Sequence, residues 1–134
     1  MKRVVLDTNI MISAFFWGGP PRVVFELGSS GKIKLLFSSD MEKELIRVLA
    51  YSKFGLTSKE IFPFLHKVRN SAEFVAVRSS LMVVTADPTD NIFLECAVDG
   101  QADCIISGDR HLLDLESYGG IPILKVKEFL EQKM

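Results

Sequence analysis

The sequence predicts an α/β protein, a three-layer α/β/α sandwich around a central parallel sheet of about four or five strands. Three observations lead there. Short apolar, β-branched runs alternate with stretches of helical periodicity along the whole chain, the pattern of a parallel sheet with helices on both faces. The first run, Arg3 to Leu6, is continuous rather than alternating, as in a strand covered on both sides. Glycine, proline or a capping residue marks most of the switches. Right-handed crossovers then leave few topologies open. At 134 residues, 48% hydrophobic and 25% charged, the chain suits one globular domain over 1–134.

Taken in order, Arg3 to Leu6 reads as the first strand and Thr8 to Phe16 as the first helix. Gly18-Gly19-Pro20-Pro21 makes a break, and a second helix takes Pro21 in its first turn and ends in the Gly28–Gly31 region. Ile33 to Phe37 reads as the second strand. Ser39-Asp40-Met41-Glu42 has the form of a capping box opening a helix to about Ala50. Ser58 to Asn70 reads as a helix with a bend at Pro63, and Phe74 to Val77 as a short strand. Leu81 to Thr85 is apolar and ambiguous. Asp87-Pro88 opens the next helix, with aspartate as cap and proline in the first helical position. Cys104 to Ser107 is expected as a strand, Arg110 to Leu113 as a short helix, Ile121 to Lys125 as the last strand and Val126 to Gln132 as a terminal helix.

The longest apolar stretch, Ile10 to Trp17, contains a serine and is too short to span a bilayer. The start of the chain runs from Met-Lys-Arg straight into a strand, without the pattern of a signal peptide, so the cytoplasm is the expected location. Cys96 and Cys104 sit in apolar surroundings without histidine at zinc-ligand spacing and read as buried thiols. Net charge is −1, which excludes a generally basic nucleic-acid binder. Its distribution is uneven: residues 1–84 carry 12 basic and 7 acidic side chains, residues 85–134 carry 4 and 10. That asymmetry suits an acidic pocket with a basic surround, and equally suits ordinary solvated charge.

Four carboxylates stand out by position. Asp7 follows the first strand directly, where an open parallel sheet places its ligands, and it would equally serve as N-cap of the helix from Thr8. Asp109 repeats the arrangement after Cys104-Ile105-Ile106-Ser107-Gly108, with the same two readings; Ser107 could hydrogen-bond a ligand or a carboxylate. Glu44 falls beside the stripe Met41, Leu45, Val48 and Leu49, so it either reaches water from the stripe's edge or needs a cation. Asp90 takes the third helical position after Asp87, favoured there by the helix dipole whatever its function, on a face continued by Leu94, Ala97 and Val98. Asp99 and Asp103 read as turn or capping residues.

With these residues in view, Val4-Val5-Leu6-Asp7-Thr8-Asn9, the Glu44-Leu45 helix, Asp87-Pro88-Thr89-Asp90-Asn91 and the run Ala102-Asp103-Cys104-Ile105-Ile106-Ser107-Gly108-Asp109-Arg110-His111-Leu112-Leu113 together resemble the PIN-domain family. The likeness is to its small prokaryotic branch of VapC-like ribonuclease toxins from toxin–antitoxin pairs, and it covers nearly the whole chain. The resemblance implies a metal-dependent ribonuclease whose acidic quartet is Asp7, Glu44, Asp90 and Asp109, supported by Asn9 and Ser107. Asp7, Asp90 and Asp109 would bind metal. Oxygen ligands suit a hard cation, Mg²⁺ or Mn²⁺, which activates a water for in-line attack on phosphorus and leaves a 5′-phosphate. Glu44 or Asp90 would hold a second ion or orient the water.

Lys43, Arg47, Lys53 and Arg110 are the basic residues nearest these motifs and are nominated as RNA contacts. Phe15, Phe16 and Trp17 could stack bases, form an interface or pack in the core. His111, with no carboxylate or nucleophile at a telling spacing, is given no catalytic role. The expected partners are an RNA substrate, a small antitoxin protein and a second copy of the chain, with no membrane. Two other functions compete. A phosphatase of the haloacid-dehalogenase type also has an aspartate after its first strand but wants Asp-x-Asp, where this chain has Asp7-Thr8-Asn9. A non-catalytic RNA- or partner-binding module would leave the acids as helix caps.

Overall fold

A computed structural model describes residues 1–51 and 55–132. Six strands and seven helices carry the described fold: β1 (Arg3–Leu6), α1 (Thr8–Phe16), α2 (Gly19–Ser29), β2 (Lys34–Phe37), α3 (Ser39–Leu49), α4 (Ser58–Ser71), β3 (Ala72–Phe74), a 3-10 turn (Pro88–Asp90), α5 (Asn91–Asp99), β4 (Cys104–Ile106), α6 (Arg110–Leu113), β5 (Ser117–Tyr118), β6 (Ile121–Leu124) and α7 (Val126–Glu131). The strand order is β3-β2-β1-β4-β6-β5. The first five strands of that order are parallel, and β5 closes the edge as an antiparallel partner of β6.

Burial follows from this order. β1 lies at the centre, with Val4 opposite Leu35 on one side and Cys104 on the other. Val4, Val5 and Leu6 are fully buried, as their unbroken apolar run requires when helices cover both faces. Leu35, Leu36 and Phe37 of β2, with Ile105 and Ile106 of β4, complete the middle of the core. Cys96 and Cys104 are buried free thiols, and burial pushes them up to about 12 and about 11, so both stay neutral.

Two expectations need correction. The cap of α3 is Ser38, whose side chain accepts from the Met41 N–H at 3.2 Å, so Ser39 is already helical. β3 covers Ala72–Phe74 rather than Phe74 to Val77, because α4 runs into it without a loop and its partner β2 ends at Phe37. Leu81 to Thr85, ambiguous in the sequence, forms neither strand nor helix. Asn91 holds that segment instead: its side-chain oxygen accepts from the Val83 and Val84 N–H groups at 3.0 and 2.9 Å, and its NH₂ donates to the Val84 carbonyl at 2.9 Å. As expected, α2 ends in the Gly28–Gly31 region, at Ser29 with Ser30 as its cap, and Gly28 lies in its last turn. A Cβ there would sit 2.5 Å from the Leu35 side chain, so the glycine is needed for the helix to approach the sheet.

From β1 the chain runs outward through β2 to β3, then returns to the other side of β1 to lay down β4. The crevice of such a sheet opens where the order reverses, beyond the carboxyl ends of β1 and β4. Asp7 and Asp109 follow those two ends.

Candidate metal centre

β1 and β4 are hydrogen-bonded neighbours, with Leu6 paired to Ile106, so the residues that follow them share one rim. Asp7 is the N-cap of α1: one carboxylate oxygen accepts from the Ile10 N–H at 2.9 Å. Its other oxygen accepts from the Ser107 hydroxyl and from the Gly108 N–H. The Ser107 oxygen in turn accepts from the Asp109 N–H at 2.9 Å, tying the two aspartates into one network. Asp109 caps α6 by accepting from the His111 N–H at 2.7 Å. Both residues therefore cap helices while standing on one rim of the sheet, so capping does not exclude a further role. Asp7 is almost wholly buried. Burial raises its carboxyl, against the pull of the Ser107, Ile10 and Gly108 hydrogen bonds.

Asp90 and Asp87 come from the 3-10 turn that opens α5. Asp87 caps the turn, accepting from the Thr89 N–H at 3.2 Å. Asp90 is 6% exposed, and no donor among the described residues reaches its Oδ2. Burial pushes this carboxyl up to about 7, reinforced by the charges of Asp109, Asp87 and Asp7 and by contact with the Asp109 side chain. Two carboxyls in contact hold together only when one carries a proton or a cation stands between them.

These acids line a cleft of about 200 Å³ together with Thr8, Asn9, Glu44, Arg47 and Phe93. The expected quartet of Asp7, Glu44, Asp90 and Asp109 is thus brought to one cleft, and Asn9 lines it too, while Ser107 stands behind it on the Asp7 carboxylate. Glu44, largely covered, pairs with Arg47 at 2.5 Å. Of the nominated basic residues only Arg47 lines the cleft. Lys43 and Arg110 are exposed outside it, and Lys53 lies outside the described residues. Phe15 stacks on Phe64 at 4.4 Å and Trp17 is exposed at the far end of α1, so none of the three aromatics lines the cleft.

Two members were missed in the sequence. Asp87 was read as a cap and nothing more. His111 was denied a carboxylate partner, yet its Nδ1 lies 3.5 Å from Asp109 Oδ1 and 3.9 Å from Asp90 Oδ2. The signal was local: when Asp109 caps α6 its carboxylate accepts from the His111 N–H, which curls the chain so that residue 111 returns to residue 109.

The donor set fits a divalent cation. Asp90 Oδ2 is buried and without a donor, an arrangement that costs several kcal/mol for a charge unless a cation meets it. Asp87, Asp90, Asp109 and His111 each offer a ligand atom within 4.8 Å of the others. Asp7 lines the same cleft with its charge fixed by three hydrogen bonds. Such a cleft can gather a cation and, through it, an anionic oxygen.

A family model described as PIN domain matches residues 3–111. Among solved structures, that of VapBC2 from Rickettsia felis bound to a DNA fragment from their promoter is similar in fold, with a TM-score of 0.60 at 14% identity over 92% of this chain and 98% of that one. No curated protein matches the sequence. No described helix is long and apolar enough to cross a membrane.

Proposed function

Since the chain belongs to the PIN-domain family, we propose that it is a divalent-metal-dependent endoribonuclease, the toxin of a toxin–antitoxin pair. Family membership points to a nuclease, and the acidic cleft supports a hydrolytic one. The observation that carries the reading is Asp90: a buried carboxylate oxygen with no donor, facing Asp109 in a cleft that Asp7 also lines.

Asp7, Asp90 and Asp109 would hold Mg²⁺ or Mn²⁺. Such an ion, when bound, neutralises charge on a phosphodiester and acidifies water. The chain's own residues supply the rest. Ser107 and the Gly108 N–H fix the Asp7 carboxylate in one orientation, so it need not reorganise as substrate arrives. Glu44 lies across the cleft as the residue to orient a water or accept its proton, and Arg47 holds it there. Arg47 is exposed enough to exchange that partner for an RNA phosphate. Lys43 and Arg110 would extend the contact outward along the strand.

A small antitoxin protein and a second copy of this chain are the proposed partners, in the cytoplasm. The sequence likeness to the VapC-like branch supports this, as does the fold likeness to the VapBC2 structure. The enzymatic reading is tested by cleavage of single-stranded RNA with Mn²⁺, with and without EDTA, comparing wild type with Asp7→Asn and Asp109→Asn. Activity should vanish in EDTA and fall at least about a hundredfold in either variant, roughly 2.7 kcal/mol of barrier. Equal cleavage by all three proteins would mark a contaminant and overturn the assignment. Co-purification with the product of a neighbouring small gene, with loss of cleavage in the complex, would test the toxin role.

A further inference from the structure

Oxygen-only coordination is what the carboxylates of this cleft would offer by themselves, and Mg²⁺ is well served by it. His111 changes the donor set. Its Nδ1 lies 3.5 Å from Asp109 Oδ1 and 3.9 Å from Asp90 Oδ2, the buried oxygen that has no donor. Its ligand atom and those of Asp87, Asp90 and Asp109 lie within 4.8 Å of one another. Ligands on opposite sides of a small divalent ion, each about 2.1 Å away, are about 4.2 Å apart. The four atoms are thus close to the spacing that a shared ion requires and would draw together around it.

The approach of His111 is built by the backbone. The Asp109 side chain caps α6 through the His111 N–H at 2.7 Å, and the Asp109 N–H is anchored on Ser107 at 2.9 Å. The turn that presents the imidazole is thereby tied to the network that holds Asp7. Asp87 is held on the other side by its own capping bond to Thr89.

We propose that His111 is a nitrogen ligand in this centre, with Asp87, Asp90 and Asp109, and that this mixed set favours a first-row transition ion such as Mn²⁺ over Mg²⁺. Imidazole is a common ligand for transition ions, whereas Mg²⁺ keeps to carboxylates, phosphates and water. The inference rests on the metal-dependent reading above and deepens it by naming the class of ion.

Calorimetric titration of the metal-free protein with Mn²⁺ and separately with Mg²⁺ tests it, together with electron-spin-echo spectroscopy of the Mn²⁺ form. Wild type should bind Mn²⁺ at least about tenfold more tightly than Mg²⁺, and the spectrum should carry nitrogen-14 modulation. His111→Ala, at a half-exposed position whose capping N–H is retained, should weaken Mn²⁺ by roughly tenfold or more and Mg²⁺ by less than about twofold, and should remove the modulation. His66→Ala, on α4 in a separate groove with Ile46 and Phe62, should change neither. Nitrogen modulation that is absent in wild type or persists in His111→Ala overturns the inference, as does an unchanged Mn²⁺ to Mg²⁺ ratio, while tight binding of both ions would leave the ribonuclease reading standing. Failure of wild type to bind either ion would overturn both.

Discussion

Each acid of the cleft has a structural task that its chemical task does not displace. Asp7 and Asp109 each cap a helix with one carboxylate oxygen and also line the cleft. Asp90 caps nothing with its side chain, and it is the residue whose environment is least compatible with bare charge. Its carboxyl is raised to about 7, first by burial and then by Asp109. Below the ordinary carboxylate range both folded and unfolded chains keep this proton, and it does not affect stability. Between there and about pH 7 the unfolded chain releases the proton and the folded chain retains it, so stability falls as pH rises through that window. In the metal-free protein Asp90→Asn should thus be more stable than wild type at pH 8, by at least about 1 kcal/mol, with the gap closing toward pH 4. Urea denaturation in EDTA at several pH values checks this; a constant gap, or none, would show that the carboxyl is not strained. Ser107→Ala should act oppositely. It removes the hydroxyl shared by Asp7 and Asp109 and should cost about 1–3 kcal/mol, measured in the same way.

At the scale of elements, α5 substitutes for a missing strand. Asn91, Glu95 and Asp99 recur every four residues, hence along one stripe, and together they take backbone N–H groups of residues 78–84. Asp99 accepts from Arg78 and Ser79, Glu95 from Leu81, and Asn91 from Val83 and Val84. This explains why Leu81 to Thr85 could not be read: its hydrogen bonds go to side chains, which leave no period in the segment itself. Asp99 looked like a turn residue for the same reason. Other elements were readable because their signals are local. Asp87-Pro88 and the Arg110–Leu113 turn appear with their expected caps. Gly119-Gly120, both with positive φ, form the turn between β5 and β6, a local hairpin signal carried by the glycine pair itself. The stripe also sets Asp90, since α5 continues directly from the 3-10 turn. Asn91→Ala should cost about 2–3 kcal/mol by leaving one buried and one part-buried N–H group without an acceptor, and hydrogen exchange at Val83 and Val84 should quicken well before the rest of the core. Unchanged protection there would mean that packing alone holds the segment.

Across the whole molecule, charge is sorted by the two ends of the sheet. At the amino ends of the strands Arg3 pairs with Glu73 at 2.7 Å, and its backbone N–H donates to Asp103 at 2.7 Å. At the carboxyl ends of β1 and β4, Asp7, Asp87, Asp90 and Asp109 have no lysine or arginine ion pair among the described residues, where Arg47 is committed to Glu44. The sequence shows that its second part is acidic, and strand-end placement picks out Asp7 and Asp109. It cannot show that Glu44 and Asp90 meet them, because that depends on α3 and α5 flanking the reversal of strand order; for those two the family likeness carried the identification. The consequence is a deficit of positive charge confined to one cleft, which a divalent ion would fill. Mn²⁺ at a hundredfold excess over Kd should therefore add about 2.7 kcal/mol of stability, a rise in melting temperature of roughly 10 °C for a chain of this length. Monovalent salt at equal ionic strength screens the same repulsion only diffusely and should give a clearly smaller rise. Asp7→Asn should lose most of the Mn²⁺ effect while melting above wild type in EDTA, because burial of its charge then no longer opposes folding. Thermal melts of both proteins in EDTA, in Mn²⁺ and in matched NaCl separate the cases. If Mn²⁺ and NaCl shift wild type equally, the cleft is merely acidic and holds no ion.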